Sequence, residues 1–189
     1  MIMDKAISIQ LPLDEAVIRT LRAGDSVLLS GTIYTARDAA HKRLVDLLDQ
    51  GKELPIDIKG QTIYYVGPAP AAPDQAVGSA GPTTSYRMDP FTPRLISLGL
   101  RGMIGKGKRN QAVIDAMKKY GAVYFGAIGG AAALIAKSIK KAEVIAYPDL
   151  GSEAIHRFEI KDFPAVVLID AQGNNMYDIG PALYKKIDV

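Results

Sequence analysis

Short β-type runs alternate with helix-period runs along most of the chain, and this alternation restricts the possible folds more than any other feature. The β-type runs are AISIQLPL, SVLLSGTIY, TIYYVG, GMIG, AVYFGAI, AEVIAYP, IHRFEI and PAVVLID. Runs with helical periodicity separate most of them. Strands that alternate with helices build a sheet with helices packed on it. The sequence therefore predicts an α/β domain with a mixed sheet.

The helical runs carry start and stop signals. TARDAAHKRLVDLLDQG is the clearest, with Thr35 as the predicted N-cap, an apolar stripe at helical spacing and Gly51 at its end. DEAVIRTLRAG predicts a short helix from Asp14 to a C-cap at Gly24, and TPRLISLGL, NQAVIDAMKKYG and AAALIAKSIKK predict three more. The proline-rich stretch from Gly67 to Ser85 predicts a long loop, which in a compact domain is usually functional or mobile.

The length of 189 residues predicts a single domain over residues 1–189, and 48% hydrophobic residues are enough for a sizeable core. The net charge of +3 suits small acidic molecules and does not require nucleic acid. The N-terminal MIMDKAISIQ lacks the basic and apolar regions of a signal peptide. The longest uncharged run has 16 residues, whereas about 18–20 are needed to span a bilayer. We therefore expect a cytoplasmic protein that binds neither membranes nor nucleic acid.

The chain contains no cysteine and only two histidines, His41 and His156. Without thiolates it forms no disulfide and cannot hold an iron–sulfur cluster by itself. Two histidines also make a self-contained zinc site improbable. The sequence therefore predicts no metal ligands in this chain, so any metal would come with another chain.

Arg37 falls in the first turn of the predicted TARDAAHKRL helix, where free N–H groups and the helix dipole favour an anion. A cation there either extends into water or is held to bind an anion. Asp38 beside it is explained as a capping carboxylate. His41 lies one turn further on the same face, where a single histidine is packed, solvated or part of a site.

The stretch SAGPTTSYRMD, residues 79–89, places two hydroxyls and a cation after a run of small residues. Small residues let the backbone approach a ligand closely. Thr83 and Thr84 offer hydroxyl donors, and Arg87 offers a planar fork that matches a carboxylate. The alternative is a loop that leads into a helix, with Thr83 or Thr84 as the N-cap. Composition does not separate these two interpretations.

The stretch GMIGKGKRN places Lys106 directly after a predicted strand, which is where α/β sheets bind ligands. It is not a P-loop, because the pattern G-x-x-x-x-G-K-[ST] fails here. Lys108 and Arg109 are interpreted as solvated charges. Three cations therefore lie at predicted strand–helix junctions, a set that would suit a small dicarboxylate. They are Arg37, Arg87 and Lys106, with Thr83 close by in the sequence.

Five blocks of the sequence, in order, resemble the β subunit of class I, iron–sulfur-dependent fumarases. They are GTIYTARDAAHKRL, SAGPTTSYRMD, MIGKGKRNQAV, YGAVYFGAIGGAAAL and FPAVVLIDAQGN. The β subunit of L-tartrate dehydratase is similar, and the resemblance covers residues 24–174 approximately. It implies a swivelling β/β/α domain. It also implies a hydro-lyase that interconverts fumarate and L-malate with a [4Fe–4S] cluster.

The resemblance further implies roles for individual residues. Two arginines and a lysine would bind the substrate carboxylates, and a threonine would move the C3 proton. Because a hydroxyl is a weak base, that threonine either has an activating neighbour or serves only as a hydrogen-bonding group. The implied substrate-binding residues are Arg37, Arg87 and Lys106, the catalytic residue is Thr83, and His41 and Thr84 are predicted to support them.

In that family the cluster cysteines belong to the α region, and a chain without cysteine fits a split enzyme. The predicted partner is a cysteine-containing α subunit that holds the [4Fe–4S] cluster, in a hetero-oligomer with two copies of each chain. The predicted substrate is a small dicarboxylate. Two alternatives remain open, the β subunit of an L-tartrate dehydratase and a non-catalytic assembly or small-anion-binding subunit.

Overall fold

The computed structural model describes residues 6–127 and 132–184. The strands are β1 Ile7–Gln10, β2 Ser26–Thr35, β3 Thr62–Tyr64, β4 Gly102–Gly105, β5 Val123–Ala127, β6 Ile139–Ala146 and β7 Ile155–Ile169. The α-helices are α1 Glu15–Thr20, α2 Asp38–Asp49, α3 Thr92–Ser97, α4 Gln111–Tyr120, α5 Ala132–Ser138 and α6 Met176–Tyr184, and two 3₁₀ turns cover Ser85–Met88 and Pro148–Glu153. Within these ranges no helix is long and apolar enough to cross a membrane.

The seven strands form one mixed sheet in the order β1-β2-β3-β4-β5-β7-β6. Strands β1 to β5 are parallel to their neighbours, whereas β7 runs antiparallel to β2, β5 and β6. Because β7 pairs with both β2 and β5, the pairing of β2, β3, β4, β5 and β7 closes on itself. The predicted α/β fold with a mixed sheet is confirmed.

Side chains of the parallel strands alternate between two apolar cores. Tyr64, Ile104 and Phe125 belong to a core that includes Phe158 and Phe163 of β7. The residues next to them in the chain point to a second core, which also contains residues of α2, α3 and α4. These strand residues are Ile63, Tyr65, Met103 and Tyr124. The parallel strands therefore lie between a β-layer and a helical layer, which is compatible with the β/β/α arrangement that the resemblance implied.

The two predicted late strands, IHRFEI and PAVVLID, are wrong as separate elements, because they form the single 15-residue strand β7. The single strand β2 pairs with both halves, from Ser26 opposite Val166 to Tyr34 opposite Arg157. In place of a break between them, the pairing of β2 with β7 shifts register between Leu29 and Gly31. Asp162, at this point of β7, has a positive φ of 52°. The backbone N–H of Asp162 donates a hydrogen bond to Ser30 Oγ at 3.0 Å.

Several helix ends differ from the prediction. Thr35 is not an N-cap but the last residue of β2, because the strand continues through it, and α2 has Arg37 as its N-cap. Helix α1 has the predicted Asp14 cap, which accepts from Val17 N at 2.7 Å, but it ends at Thr20 and not near Gly24. The last three residues of the predicted AAALIAKSIKK helix belong to β6, where Ile139 pairs with Ile160 of β7.

Helix α4 matches the prediction at both ends. Asn110 caps its start by accepting from Val113 N at 2.9 Å, and Gly121 ends it in the left-handed region with φ of 73°. Helix α6 was not predicted. The last residue of the predicted AVYFGAI strand and the first residue of the AAALIAKSIKK helix fall at 128 and 131, outside the described residues.

Candidate functional site

The predicted site residues follow the carboxyl ends of three adjacent parallel strands. Thr35 at the end of β2 pairs with Tyr64 of β3, which pairs with Ile104 of β4. Arg37 therefore follows β2, and Lys106 follows β4, at the same edge of the sheet. Parallel strands of α/β proteins commonly place ligand sites at their carboxyl ends, in closed as well as in open sheets. We call this region the carboxyl edge.

The segment Thr83–Ser85 is inserted between the diverging ends of β3 and β4. Tyr65 O accepts a hydrogen bond from Thr83 N at 2.7 Å, and Lys106 O accepts one from Ser85 N at 2.9 Å. Thr84 and Lys106 form an isolated parallel β-bridge. The long loop that begins at Gly67 thus returns to the sheet at Thr83, which places Thr83, Thr84 and Lys106 side by side.

Arg37 and Arg87 meet at the carboxylate of Asp38. Arg87 Nη2 lies 2.8 Å from Asp38 Oδ2, and Arg37 Nε lies 3.9 Å from Oδ1. Arg37 Nη2 also forms an ion pair of 2.9 Å with Glu153 Oε1, in the second 3₁₀ turn. All four side chains are partly exposed, from 22% for Arg37 to 42% for Arg87. Two of the three predicted carboxylate-binding cations are therefore already arranged around carboxylates.

Gly67 leaves room for the Arg37 side chain. A Cβ atom at position 67 would lie 3.3 Å from Arg37 Nη1 and 3.2 Å from Ser152 O. The small residue that opens the long loop therefore lets the guanidinium lie close to the backbone. This agrees with the expectation that small residues near the site allow close approach.

Several polar groups of the carboxyl edge have no partner among residues 6–127 and 132–184. Arg37 Nε and Asp38 Oδ1 are buried atoms without a hydrogen bond, although their separation is only 3.9 Å. Lys106 is exposed and forms no ion pair in these ranges, and the Thr83 hydroxyl forms no hydrogen bond there. The Lys106 ammonium and the Thr83 hydroxyl are therefore available to a ligand, whereas the two buried atoms would first have to become exposed.

His41 of α2 is fully buried, one turn after Arg37. Its Nδ1 is 2.9 Å from Arg37 O, and because a carbonyl can only accept, Nδ1 carries the proton. Its ring packs edge-on against Tyr65, with the ring centres 5.4 Å apart. Burial lowers the pKa of His41 to about 4. The histidine is therefore neutral near pH 7 and holds the backbone of Arg37, and its Nε2 has no partner in the described structure.

Thr84 occupies the N-cap position of a 3₁₀ turn and not of an α-helix, so the interpretation of this stretch as a loop that leads into a helix is correct in part. Thr84 precedes the 3₁₀ turn Ser85–Met88 but makes no capping hydrogen bond through its side chain. Thr83 contacts the end of β3 through its backbone, and the next α-helix begins only at Thr92. The threonine pair is fixed by backbone pairing to the sheet, and the Thr83 hydroxyl forms no hydrogen bond with the described residues.

Arg109 is not a solvated charge, as its sequence neighbourhood suggested. Its side chain is 0% exposed and its Nε lies 2.6 Å from Asp89 Oδ1, which is itself buried. The guanidinium also contacts the faces of Tyr65 and Tyr124 at 5.3 and 5.0 Å and donates to Thr92 Oγ1 at 3.0 Å. Arg109 is thus the charged centre of the packing beneath the carboxyl edge, whereas Lys108 is exposed as expected.

Sequence reasoning missed three participants at the edge. Asp38 was explained as a capping carboxylate, yet its described side-chain partners are arginines. Glu153 carried no local signal, because it reaches Arg37 from a distant turn. Asp89 closes the SAGPTTSYRMD stretch, and no signal in the sequence indicated its buried pairing with Arg109, which lies 20 residues further along the chain.

The local charge favours a small anion. Arg37, Arg87 and Lys106 contribute three positive charges, and Asp38 and Glu153 contribute two negative charges, so one positive charge remains in excess. Guanidinium groups bind carboxylates through paired donors. No group of three or more His, Cys, Asp or Glu residues that could hold a metal occurs in the described residues. Since the chain also has no cysteine, it does not fit an iron–sulfur cluster by itself.

The fold and the site together define a three-layer α/β domain with a cationic carboxyl edge. A family model described as "Fumarase C-terminus" matches residues 3–180. The chain therefore belongs to the Fumarase C-terminus family, which bears out the resemblance noted from its five sequence blocks.

Relatives of two kinds match the chain. The anaerobic class I fumarate hydratase of Escherichia coli is 50% identical over 151 residues, which are 79% of this chain and 28% of that protein. Fumarate hydratase 2 of Leishmania major is 45% identical over 156 residues, 82% of this chain and 28% of that protein. A Methanocaldococcus jannaschii protein that carries the name of an L(+)-tartrate dehydratase subunit beta is 35% identical over 178 residues, 90% of this chain and 91% of that protein. The chain thus spans little more than a quarter of these two fumarate hydratases.

Proposed function

We propose that this chain is the β-type component of a class I hydro-lyase that interconverts fumarate and L-malate. The observation that carries the proposal is the meeting of Arg37 and Arg87 at Asp38, beside the edge where Thr83, Thr84 and Lys106 lie together. Family membership and the E. coli relative support the reaction class. Residues 1–189 act in this proposal as a single domain.

The three cations would bind the two substrate carboxylates. Arg37 and Arg87 are now engaged by Asp38 and Glu153, so an incoming carboxylate would exchange with these side chains. Exposed ion pairs stabilise a protein by only about 0–1 kcal/mol, so the exchange would cost little free energy. Binding both carboxylates fixes the orientation of the substrate, and a cation near the C4 carboxylate stabilises the charge that develops when C3 loses its proton.

Thr83 would hold or move the C3 proton of malate. Its hydroxyl is free of hydrogen bonds to the described residues and lies at the strand end next to the Lys106 segment. A hydroxyl is a weak base without an activating group. His41 does not supply one, because it is buried beneath the Arg37 backbone and its described side-chain hydrogen bond is to Arg37 O. The activating carboxylate or imidazole would therefore come from outside this chain.

The [4Fe–4S] cluster of the proposed enzyme would be held by cysteines outside this chain, because this chain has none. We assign those cysteines to a partner α subunit, in a hetero-oligomer with two copies of each chain. The Methanocaldococcus jannaschii relative supports a separate subunit, since this chain matches 91% of its length. When bound, the cluster supplies the Lewis-acid iron that makes hydroxide a better leaving group.

A second candidate function is L-tartrate dehydration. The same relative favours it, because its match extends over nearly the full length of both chains, whereas the fumarate hydratases are several times longer. Tartrate would bind to the same cations through its carboxylates. Its additional hydroxyl would need a further hydrogen-bond partner in the site. A third candidate, a non-catalytic assembly or small-anion-binding subunit, would use the cations alone.

A reconstitution assay separates these functions. The chain alone should be colourless and inactive, and activity should appear only after mixing with a cysteine-containing α subunit loaded anaerobically with iron and sulfide. Malate, fumarate and L-tartrate are then compared by kcat/KM. Preference for tartrate would select the second candidate, and no turnover with retained dicarboxylate binding would select the third. Hydratase activity of the chain alone would overturn the two-chain arrangement.

A further inference from the structure

Three hydrogen bonds and the backbone of the Lys106–Gly107 segment together form a closed ring. Lys106 N donates to Ser85 Oγ at 3.1 Å. The Tyr124 hydroxyl lies 2.9 Å from Ser85 Oγ and 3.0 Å from Gly107 O. Ser85 is fully buried, and so is Tyr124 of β5. Two side chains from separate parts of the chain therefore hold both ends of a two-residue segment that carries the exposed Lys106.

The direction of each hydrogen bond in this ring follows from what the groups can donate. Gly107 O can only accept, so the Tyr124 proton is donated to it. The Tyr124 hydroxyl also points as a donor towards Ser85 Oγ, which accepts from Lys106 N as well, so Ser85 Oγ and Gly107 O share the single Tyr124 proton. The Tyr124 hydroxyl therefore links Ser85 Oγ to Gly107 O. Such chains of hydrogen bonds polarise one another and rigidify the groups they connect.

Neighbouring residues leave this ring little freedom. A Cβ on Gly105 would lie 2.0 Å from Ser85 Oγ, so only glycine allows the serine to reach Lys106 N. Gly107 has a φ of 87°, and its N–H donates to the Tyr177 hydroxyl at 2.9 Å. The Arg109 guanidinium lies over the Tyr124 ring at 5.0 Å. The backbone that carries Lys106 is thus held by the ring and by the residues on both sides of it.

We infer that Ser85 and Tyr124 are positioning residues that fix Lys106 for binding of the substrate carboxylate. This inference rests on the proposed function, because it requires Lys106 to bind a dicarboxylate. Neither hydroxyl touches the substrate; both act through the Lys106 backbone. The ring joins β5 to the Thr83–Ser85 segment and so ties Lys106 to the strand end that carries Thr83.

A double-mutant cycle tests the inference in the assembled complex with its α subunit. The readout is the dissociation constant of succinate, a dicarboxylate that cannot be hydrated, measured by calorimetry so that no turnover is needed. Tyr124→Phe, Lys106→Met and the double variant are compared with the unchanged complex. Tyr147→Phe is the matched control, because it removes a tyrosine hydroxyl that has no hydrogen-bond partner in the described ranges.

Tyr124→Phe should weaken succinate binding by on the order of tenfold, because it removes both hydrogen-bond contacts of the Tyr124 hydroxyl. The double variant should bind no more weakly than Lys106→Met alone, because residues that act through one another are not additive. Tyr147→Phe should leave the dissociation constant unchanged. If Tyr124→Phe proves unstable, Ser85→Ala interrupts the same ring from the other side.

Two results overturn the inference and leave the proposed function intact. One is a Tyr124→Phe complex that binds succinate as tightly as the unchanged complex, while Lys106→Met weakens binding. The other is an equal weakening by Tyr124→Phe with and without Lys106, which indicates a general structural role. A Lys106→Met complex with unchanged succinate binding removes Lys106 from the proposed site, and the inference fails with it.

Discussion

Arg87 Nη2 and Asp38 Oδ2 lie 2.8 Å apart, although 49 residues separate them in the sequence. This contact joins the 3₁₀ turn after the long loop to the first turn of α2. Arg37 Nε is 3.9 Å from the other oxygen of Asp38, so both predicted substrate arginines lie beside one carboxylate. An internal carboxylate between two guanidinium groups occupies a position that a substrate carboxylate would need.

Arg87→Lys should impair the assembled enzyme although the charge is kept, because the planar two-donor fork is lost. If Arg87 binds a carboxylate in both the ground state and the transition state, KM for malate should rise more than kcat falls. Steady-state kinetics on the reconstituted complex provide the measurement.

Arg157→Lys is the matched control for this change. Arg157 is 43% exposed and pairs with Glu143 at 2.7 Å, much as Arg87 is 42% exposed and pairs with Asp38. The control should have unchanged kinetics, because its ion pair joins β6 and β7 and not the carboxyl edge. Equal kcat/KM for Arg87→Lys and the unchanged enzyme would remove Arg87 from the site.

Arg109→Met should destabilise the fold strongly. It leaves the buried Asp89 carboxylate without its ion-pair partner, and breaking a buried pair on one side typically costs about 3–5 kcal/mol. The free energy of unfolding can be measured by urea denaturation. Arg94→Met, which breaks an exposed pair with Asp49, should cost no more than about 1 kcal/mol. If Arg109→Met and Arg94→Met lowered the free energy of unfolding by similar amounts, burial would not explain how much the Arg109–Asp89 pair stabilises the fold.

The carboxyl edge could be predicted because its signals are local. A strand followed by Arg37 and a helix, and a strand followed by Lys106, are both visible in short windows of the sequence. Parallel pairing of β2, β3 and β4 then brings these strand ends to one edge, as such sheets do. The α/β class followed from the same alternation of periods.

The errors arose where distant residues decide the structure. Arg109 resembles a solvated charge beside Lys106 and Lys108, and only its contacts with Asp89, Tyr65 and Tyr124 make it a buried one. The unbroken β7 depends on pairing with β2, whose partners lie more than a hundred residues away. No short window contains this information. The same holds for the contact of Arg87 with Asp38, because 49 residues separate them in the sequence.

His41 should make the stability of the fold depend on pH. Burial lowers the pKa of His41 from 6.5 to about 4, so the unfolded chain binds more protons than the folded one between these values. The contribution of His41 to the free energy of unfolding is therefore fully present above pH 6.5 and is lost as the pH falls towards 4. For a shift of this size it amounts to about 3 kcal/mol. Urea denaturation at a series of pH values measures the slope.

His41→Leu should lose this part of the slope. A smaller slope of the same sign should remain, because burial also lowers the pKa of His156. A His41→Leu chain with the full slope of the unchanged protein would show that His41 is not the buried neutral group described above.

Thr83→Ala tests proton transfer at the centre of the proposed site. If Thr83 moves the C3 proton, kcat of the reconstituted complex should fall by on the order of 10²–10⁴-fold, as deletions of general acid–base groups do. Exchange of the C3 proton of malate with solvent deuterium should slow as well. The unfolding free energy should change by less than about 1 kcal/mol, because the hydroxyl caps no helix and has no hydrogen bond in the described ranges.

Thr83→Ser separates the hydroxyl from the methyl group. It keeps the proton-transfer group and should retain much of the activity that Thr83→Ala loses, whereas a role in packing would make both changes alike. Thr84→Ala provides the neighbouring comparison, since Thr84 pairs with Lys106 through its backbone and should affect turnover less. A folded Thr83→Ala enzyme with unchanged turnover and unchanged proton exchange would limit this segment to holding Arg87 and Lys106 in place.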